Sequence, residues 1–261
     1  MPPKTIRLAI VVLFVAVFGR AQEPQSLNRV FYFAHIDTTQ GFQEIATTIR
    51  ALVEIRELSL DIAQRSLTLR GTSDQIALVE WLFNQLDSSG SKQLPAQNQN
   101  SSANEYRMSG SNEDIVRVFY LPPTETVQGL QEIITLLRTV ADVRRIFGCT
   151  AQRAVPLRGT PDQVALSEWL INQLETPRNG NSTTHEYRMP GSSDDVVHVF
   201  YLTHTETPRG AQEINILIRS TANVHRTFFY SGSRAIALRG AVDQVAQAEQ
   251  IIHEMDKPSV R

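Results

Sequence analysis

One pattern of about sixty residues occurs three times along the 261-residue chain without a slip in register. Val30-Phe31-Tyr32, Val118-Phe119-Tyr120 and Val199-Phe200-Tyr201 open the copies, 88 and 81 residues apart. An Arg-Gly pair follows each valine after 40 residues, at Arg70-Gly71, Arg158-Gly159 and Arg239-Gly240. The difference of seven between the two spacings therefore falls in the joins, so each copy is a folding unit and each join is tolerant chain. A unit of this size is near the lower limit for folding alone, burying about 60% of the surface its unfolded chain exposes, so help from neighbours is expected.

Within the second copy, Val116 to Leu121 reads as a strand, and Thr126 as the N-cap of a following helix. In the third copy Thr207 stands at the same place with Pro208 behind it, a residue suited to the first helical position. Leu130, Ile133, Ile134, Leu137 and Val140 recur at helical steps, as do Phe42, Ile45, Ala46, Ile49 and Leu52. Val143 to Phe147 and Val224 to Tyr230 have β character. Alternating pairs (Leu67 and Leu69; Val155 and Leu157; Ile236 and Leu238) then mark a further strand. Pro156 in the second copy predicts an edge or a bulge there. Thr160-Pro161-Asp162-Gln163 supplies a cap, a helix-first proline and a glutamine three residues past the cap, a strong helix start. Each copy thus reads strand, helix, strand, strand, helix: an α+β fold of three tandem βαββα two-layer sandwiches. Both helices cover one sheet face, and the opposite face is expected to stay open.

The expected layout is a signal peptide at 1–21, repeats at 28–87, 105–175 and 186–257, and polar linkers at 88–104 and 176–185. The signal rests on Lys4 and Arg7, the run of eleven apolar residues Leu8 to Phe18, and the cleavage-site residues Gly19-Arg20-Ala21. That run is too short to span a bilayer, which takes about 20 residues. The mature chain is therefore expected to begin near Gln22 in the periplasm or outside the cell. The 18 residues from Asp87 to Asn104 would reach roughly 20 to 25 Å as a flexible coil. Glu105-Tyr106-Arg107-Met108 and Glu186-Tyr187-Arg188-Met189 precede the second and third copies and are expected to add a strand, which the first copy lacks. Two glycosylation sequons, at Asn100 and Asn181, lie in the linkers.

The segment from Ala154 to Glu175, AVPLRGTPDQVALSEWLINQLE, and the looser match from Ala237 to Asp256, ALRGAVDQVAQAEQIIHEMD, resemble the periplasmic N-domains of secretins. Secretins are the ring-forming outer-membrane channels of type II and type III secretion and type IV pilus systems. Two departures stand out: Arg65, Arg153 and Arg234 occupy a place where the family often has Asn, and no long β-rich pore domain follows the third unit. The resemblance implies the family's assembly role, stacking on like domains and docking other periplasmic proteins, without its transport role.

Polar positions identical in all three copies include Arg65, Arg153 and Arg234, Arg70, Arg158 and Arg239, and the acids Glu44, Glu132 and Glu213. Either they form a repeated contact surface, or they are helix-start acids and exposed ion pairs left by duplication. The aromatic pair at each start should turn one ring to the helices and leave Tyr32, Tyr120 and Tyr201 on the open face, where a tyrosine either anchors a partner or is covered by the linker or the preceding Tyr-Arg-Met segment. These three tyrosines and six arginines are the candidate partner-binding residues. Trp81 and Trp169, replaced by Gln250, flank the second helix as rim packing. Cys149, the sole cysteine, excludes an internal disulfide and reads as an incidental strand-end residue.

No cluster of His, Cys and carboxylates has metal-ligand spacing, and no nucleophile-base arrangement or phosphate loop recurs, so neither cofactor, metal nor catalysis is expected. The net charge of −2 gives no reason for a nucleic-acid partner. The small sandwich is similar to the K-homology fold, yet no copy has the Gly-x-x-Gly loop with which that fold grips RNA. A carbohydrate- or peptidoglycan-binding array is a third reading. The sequence favours an exported module that binds other envelope proteins, docking or scaffolding secretion or pilus components, and associates with itself.

Overall fold

The computed structural model describes residues 26–88, 104–108, 114–122, 125–175 and 186–258. The export signal, most of both linkers and the sequons lie outside these residues.

Unit 1 comprises β1 (Leu27–Tyr32), α1 (Thr39–Val53), β2 (Glu57–Asp61), β3 (Ser66–Gly71) and α2 (Ser73–Leu86). Unit 2 comprises β4 (Glu105–Arg107), β5 (Ile115–Tyr120), α3 (Val127–Thr139), β6 (Arg145–Ile146), β7 (Ala154–Gly159) and α4 (Pro161–Glu175). Unit 3 comprises β8 (Glu186–Arg188), β9 (Asp195–Tyr201), α5 (Pro208–Thr221), β10 (Arg226–Tyr230), β11 (Ala235–Ala241) and α6 (Val242–Met255). The fold is α+β, three tandem βαββα sandwiches. The sheets run β1-β3-β2, β4-β5-β7-β6 and β8-β9-β11-β10, with every pairing antiparallel. The short Glu-Tyr-Arg segments are the added edge strands β4 and β8.

Local chemistry sets the helix starts. The side chains of Thr38, Thr126 and Thr207 each accept from the N–H of the glycine three residues on, at 3.1, 3.0 and 3.1 Å. At α2, Thr72 accepts from Gln75 N while Gln75 Oε1 accepts from Thr72 N, and Thr160 and Gln163 repeat this reciprocal pair at α4. The chain leaves the first helix of each unit through a residue in the left-handed region: Glu54 (φ 59°) at the cap of α1, and Asp142 (φ 56°) and Asn223 (φ 54°) just past the caps of α3 and α5.

A carboxylate just past the last helix then closes a unit. Asp87 accepts from the N–H groups of Ala34, His35 and Ile36 at 2.7, 3.1 and 2.9 Å, and Asp256 accepts from Thr203, His204 and Thr205 at 2.6, 2.9 and 2.6 Å. Each fastens the loop that leads into its unit's first helix to the unit's end. The backbone donors and the Thr205 hydroxyl outweigh the effect of burial on Asp256, which would raise its carboxyl, and hold it below the ordinary carboxylate range.

Pro156 sits in the central strand β7, not at an edge or a bulge. Its carbonyl accepts from Phe147 N at 3.0 Å, but it has no N–H to return to that side. The neighbouring β6 is two residues long, whereas β2 and β10, facing Thr68 and Ala237, run to five. The missing donor shortens the neighbour and leaves the proline central.

The largest departure from the sequence reading concerns the sheet faces. Those of units 2 and 3 are not open. Val116, Val118, Cys149 and Ala154 of unit 2 belong to the same buried cluster as Ile45, Leu52 and Leu82 of unit 1. Val197, Val199, Ala235 and Ala237 of unit 3 join that of Leu136, Leu137 and Leu170 of unit 2. The helices of each unit lie on the outer sheet face of the next, so the core runs through both joints.

Candidate functional site: the joints and the free faces

Alternation along the strands decides which residues meet at a joint. On β5, Phe119 turns inward and is 1% exposed, so Val116, Val118 and Tyr120 turn outward beneath α1 and α2. In β9 the outward positions are Val197, Val199 and Tyr201.

The polar contacts repeat from joint to joint. The Glu44 carboxylate of α1 accepts from Thr150 N and its hydroxyl, both at 2.7 Å, and Glu132 of α3 accepts from Ser231 N at 2.8 Å and its hydroxyl at 2.7 Å. Arg158 Nη1 donates to Leu52 O at 3.0 Å, and Arg239 Nη1 to Val140 O at 3.5 Å. The same guanidiniums are held by Asp114 and Asp195 of their own units, at 2.9 Å from Nε in each. Tyr120 and Tyr201 donate their hydroxyls to the carbonyls of Gln85 and Gln173, at 3.0 and 2.6 Å. Arg145 pairs with Glu54, and Arg226 reaches Asp142 at 3.9 Å. Charge-assisted bonds to backbone ends fix orientation as well as contributing affinity, so this set defines one relative placement of adjacent units.

One aromatic contact completes each joint. Trp81 of α2 meets Tyr106 of β4 with ring centroids 5.6 Å apart, and Trp169 of α4 meets Tyr187 of β8 at 5.4 Å. The tryptophan is thus more than rim packing of its own unit.

Cys149 is fully buried where Thr48 of α1 covers it, with Oγ1 to Sγ at 3.6 Å. Burial pushes its thiol up to about 12, the Glu44 carboxylate adds to the rise, and only the Thr48 contact opposes it. Burial, with Cys149 beside it, likewise raises the Tyr120 phenol above its ordinary value.

The nine candidate residues divide into three groups. Tyr120, Tyr201, Arg158 and Arg239 lie in the intramolecular joints and are occupied there. Tyr32, 67% exposed, and Arg70 remain on the free face of unit 1, where Arg70 bonds Ser26 and lies 3.8 Å from Glu57. Arg65, Arg153 and Arg234 occupy hairpin turns in the left-handed region, at φ 50°, 48° and 52°, and their carbonyls accept from Phe33, Leu121 and Leu202 N. Asn favours that backbone region, which is the physical sense of the Asn that secretin N-domains often carry there. What recurs at these arginines is a backbone conformation.

Sequence reasoning missed the pairing of Thr150 with Glu44, of Ser231 with Glu132, and of tryptophan with tyrosine. A signal was present: the tryptophan occurs only in copies that have a following unit, and the Tyr-Arg-Met segment only in copies that have a preceding one. Among the described residues, no group of three or more His, Cys, Asp and Glu could hold a metal, and no helix is long and apolar enough to cross a membrane.

No protein-family model matches the chain, and no curated protein matches it. Solved structures similar to it include secretin N-terminal domains. A dimeric mutant of the N-terminal domain of the secretin XcpQ from Pseudomonas aeruginosa is 17% identical over 58% of this chain and 63% of that one, with a TM-score of 0.24. The XcpQN012 structure is 12% identical over 89% of this chain and 100% of that one, at TM-score 0.29. The ETEC pilotin-secretin AspS-GspD complex is 14% identical over 90% of this chain and 38% of that one, at TM-score 0.20. The chain thus spans less than two thirds of the first of these.

Proposed function

We propose that the chain is an exported, periplasmic protein-interaction module that docks or scaffolds components of an envelope secretion or pilus system, with no catalytic role. The observation that carries this reading is the repeated joint: the same helix face, sheet face, arginine, tyrosine and glutamate join like units twice in one chain. The fold is therefore used here as a protein-recognition element, and its rigid joints set a fixed spacing that linker reach would not give. Tyr32 and Arg70 keep the positions that bind in the joints and are the exposed candidates for a partner. The resemblance of Ala154 to Glu175 to secretin N-domains points to envelope assembly as the setting.

Crosslinking in intact cells followed by recovery from the envelope fraction tests this. A secretin-like pore or pilus protein crosslinked to unit 1 or unit 3 is the expected result. Recovery of RNA alone, or of no protein, would contradict the reading. N-terminal sequencing of the exported protein should start near Gln22.

A further inference from the structure

Among the described residues, units 2 and 3 have four strands and unit 1 has three. In unit 2, β4 lies antiparallel on the edge of β5, with Glu105 opposite Arg117, Tyr106 opposite Val116 and Arg107 opposite Ile115. In unit 3, β8 sets Glu186 opposite His198 in the same way. Each time, the glutamate of the added strand satisfies a basic side chain of the strand beside it. Arg117 reaches Glu105 at 3.3 Å and Glu168 at 3.0 Å, and His198 Nε2 meets Glu186 at 3.0 Å. The Arg117 side chain is only 8% exposed between its two carboxylates.

The equivalent position in unit 1 is Arg29, on β1. It is exposed, and neither it nor Glu80, the counterpart of Glu168, has an ion pair or hydrogen bond among the described residues. One long side of β1 is paired to β3, and the other is a sheet edge among the described residues. Edges alone are common: β2, β6 and β10 end their sheets in all three units. The β1 edge differs because both counterparts are filled and because its basic residue is in place without the carboxylate.

We propose that the free edge of β1 is a strand-acceptor site: it takes an extended antiparallel segment of a partner protein, with a Glu or Asp set opposite Arg29. Backbone hydrogen bonds to β1 provide the general attraction, and the carboxylate selects segment and register. The residue after the carboxylate lies opposite Asn28 on the outer face, where no helix among the described residues lies above unit 1, so its identity is less restricted than that of Tyr106. The segment of this chain at the β4 position would be Val17-Phe18-Gly19, which has no carboxylate and falls where the apolar run of the expected export signal meets its cleavage-site residues. Removal of that signal leaves the edge to a strand supplied in trans. This site rests on the protein-binding reading above and names its chemistry.

The test uses the exported chain and a synthetic peptide of residues 103–109, Ala-Asn-Glu-Tyr-Arg-Met-Ser. The peptide should slow exchange of the β1 amides that face the free edge, Asn28 and its alternate neighbours Val30 and Tyr32. Arg29→Glu, whose fold is checked by circular dichroism, should weaken binding at least about tenfold, and a peptide with Arg in place of Glu105 should restore it for that variant. Three results overturn the proposal: no protection at saturating peptide, equal binding to wild type and Arg29→Glu, or the edge-facing amides of Asn28, Val30 and Tyr32 already protected without peptide. In the last case dilution separates a second copy from the chain's own residues 22–26. An envelope partner whose crosslink survives Arg29→Glu would remove this edge as the site while leaving the docking function in place.

Discussion

The outer sheet face of unit 1 and those of units 2 and 3 share one backbone plan but face different surroundings. Where units 2 and 3 place Val116 and Val197, Phe147 and Phe228, Cys149 and Tyr230, Ala154 and Ala235, and Pro156 and Ala237, unit 1 places Asn28, Ser59, Asp61, Ser66 and Thr68. Arg145 and Arg226, which face carboxylates across a joint, become Glu57. At the far end, unit 3 carries Gln247 where Leu78 and Leu166 are buried, and Gln250 in place of the tryptophans. Strand and helix positions survive all of these changes. The strand pattern and the inner core therefore specify the unit, while the outer face specifies whether another unit sits on it. A head-to-tail joint of this kind does not close on itself.

Breaking a joint and making the matching change on a free face separates the two roles. The largest contrast is expected for leucine to aspartate. Leu136→Asp buries a charge at 0% exposure and should cost more than about 3 kcal/mol, whereas Leu217→Asp, at the equivalent but 37% exposed position, should stay within about 0.5 kcal/mol. Denaturant unfolding of the two variants gives the comparison. The arginines come next. Arg158, with a side chain 9% exposed, leaves Asp114 and Leu52 O without it, so Arg158→Ala should cost about 2 kcal/mol; Arg70→Ala, 52% exposed, should cost about 0.5 or less. Smaller again, Tyr201→Phe removes the bond to Gln173 O and should cost about 1 kcal/mol, with no measurable change for Tyr32→Phe.

A pH series sharpens the same comparison inside unit 3. The Asp256 carboxyl lies lower in the folded chain than in the unfolded one, so its contribution to stability is complete above the ordinary carboxylate range. It is lost as pH falls through the depressed folded value. The stability gap between wild type and Asp256→Asn should therefore be constant near neutrality and shrink as pH drops below about 4. A gap independent of pH down to full acid unfolding would show that the loop amides are held by something else.

Much of the unit was legible in the sequence because its determinants are local. Thr126 caps a glycine three residues away, Thr160-Pro161-Asp162-Gln163 starts a helix by itself, and Leu67 and Leu69 alternate on a single strand. The joints were not legible, because Glu44 meets Thr150 across 106 residues of chain and no short window contains both. Amphipathic alternation also reads a strand with Val116, Val118 and Tyr120 on its outer side as one that presents them to solvent. Only the helices of the preceding unit show that this side is covered. Pro156 was misplaced for a related reason: its loss of a donor is real, but the neighbouring strand absorbs it.

Cys149 reports on the central claim most directly, since it lies on the outer face of unit 2 and unit 1 covers it. Its thiol should react with an uncharged alkylating reagent in the native chain about a thousandfold more slowly than in the unfolded chain, as for a joint whose opening costs about 4 kcal/mol. Thr48→Asp, which places a charge against the thiol from the opposite side of the joint, should abolish that protection while units 2 and 3 stay folded. A native thiol that reacts as fast as the unfolded one would show that units 1 and 2 are independent beads, and the account of a continuous stack would be wrong.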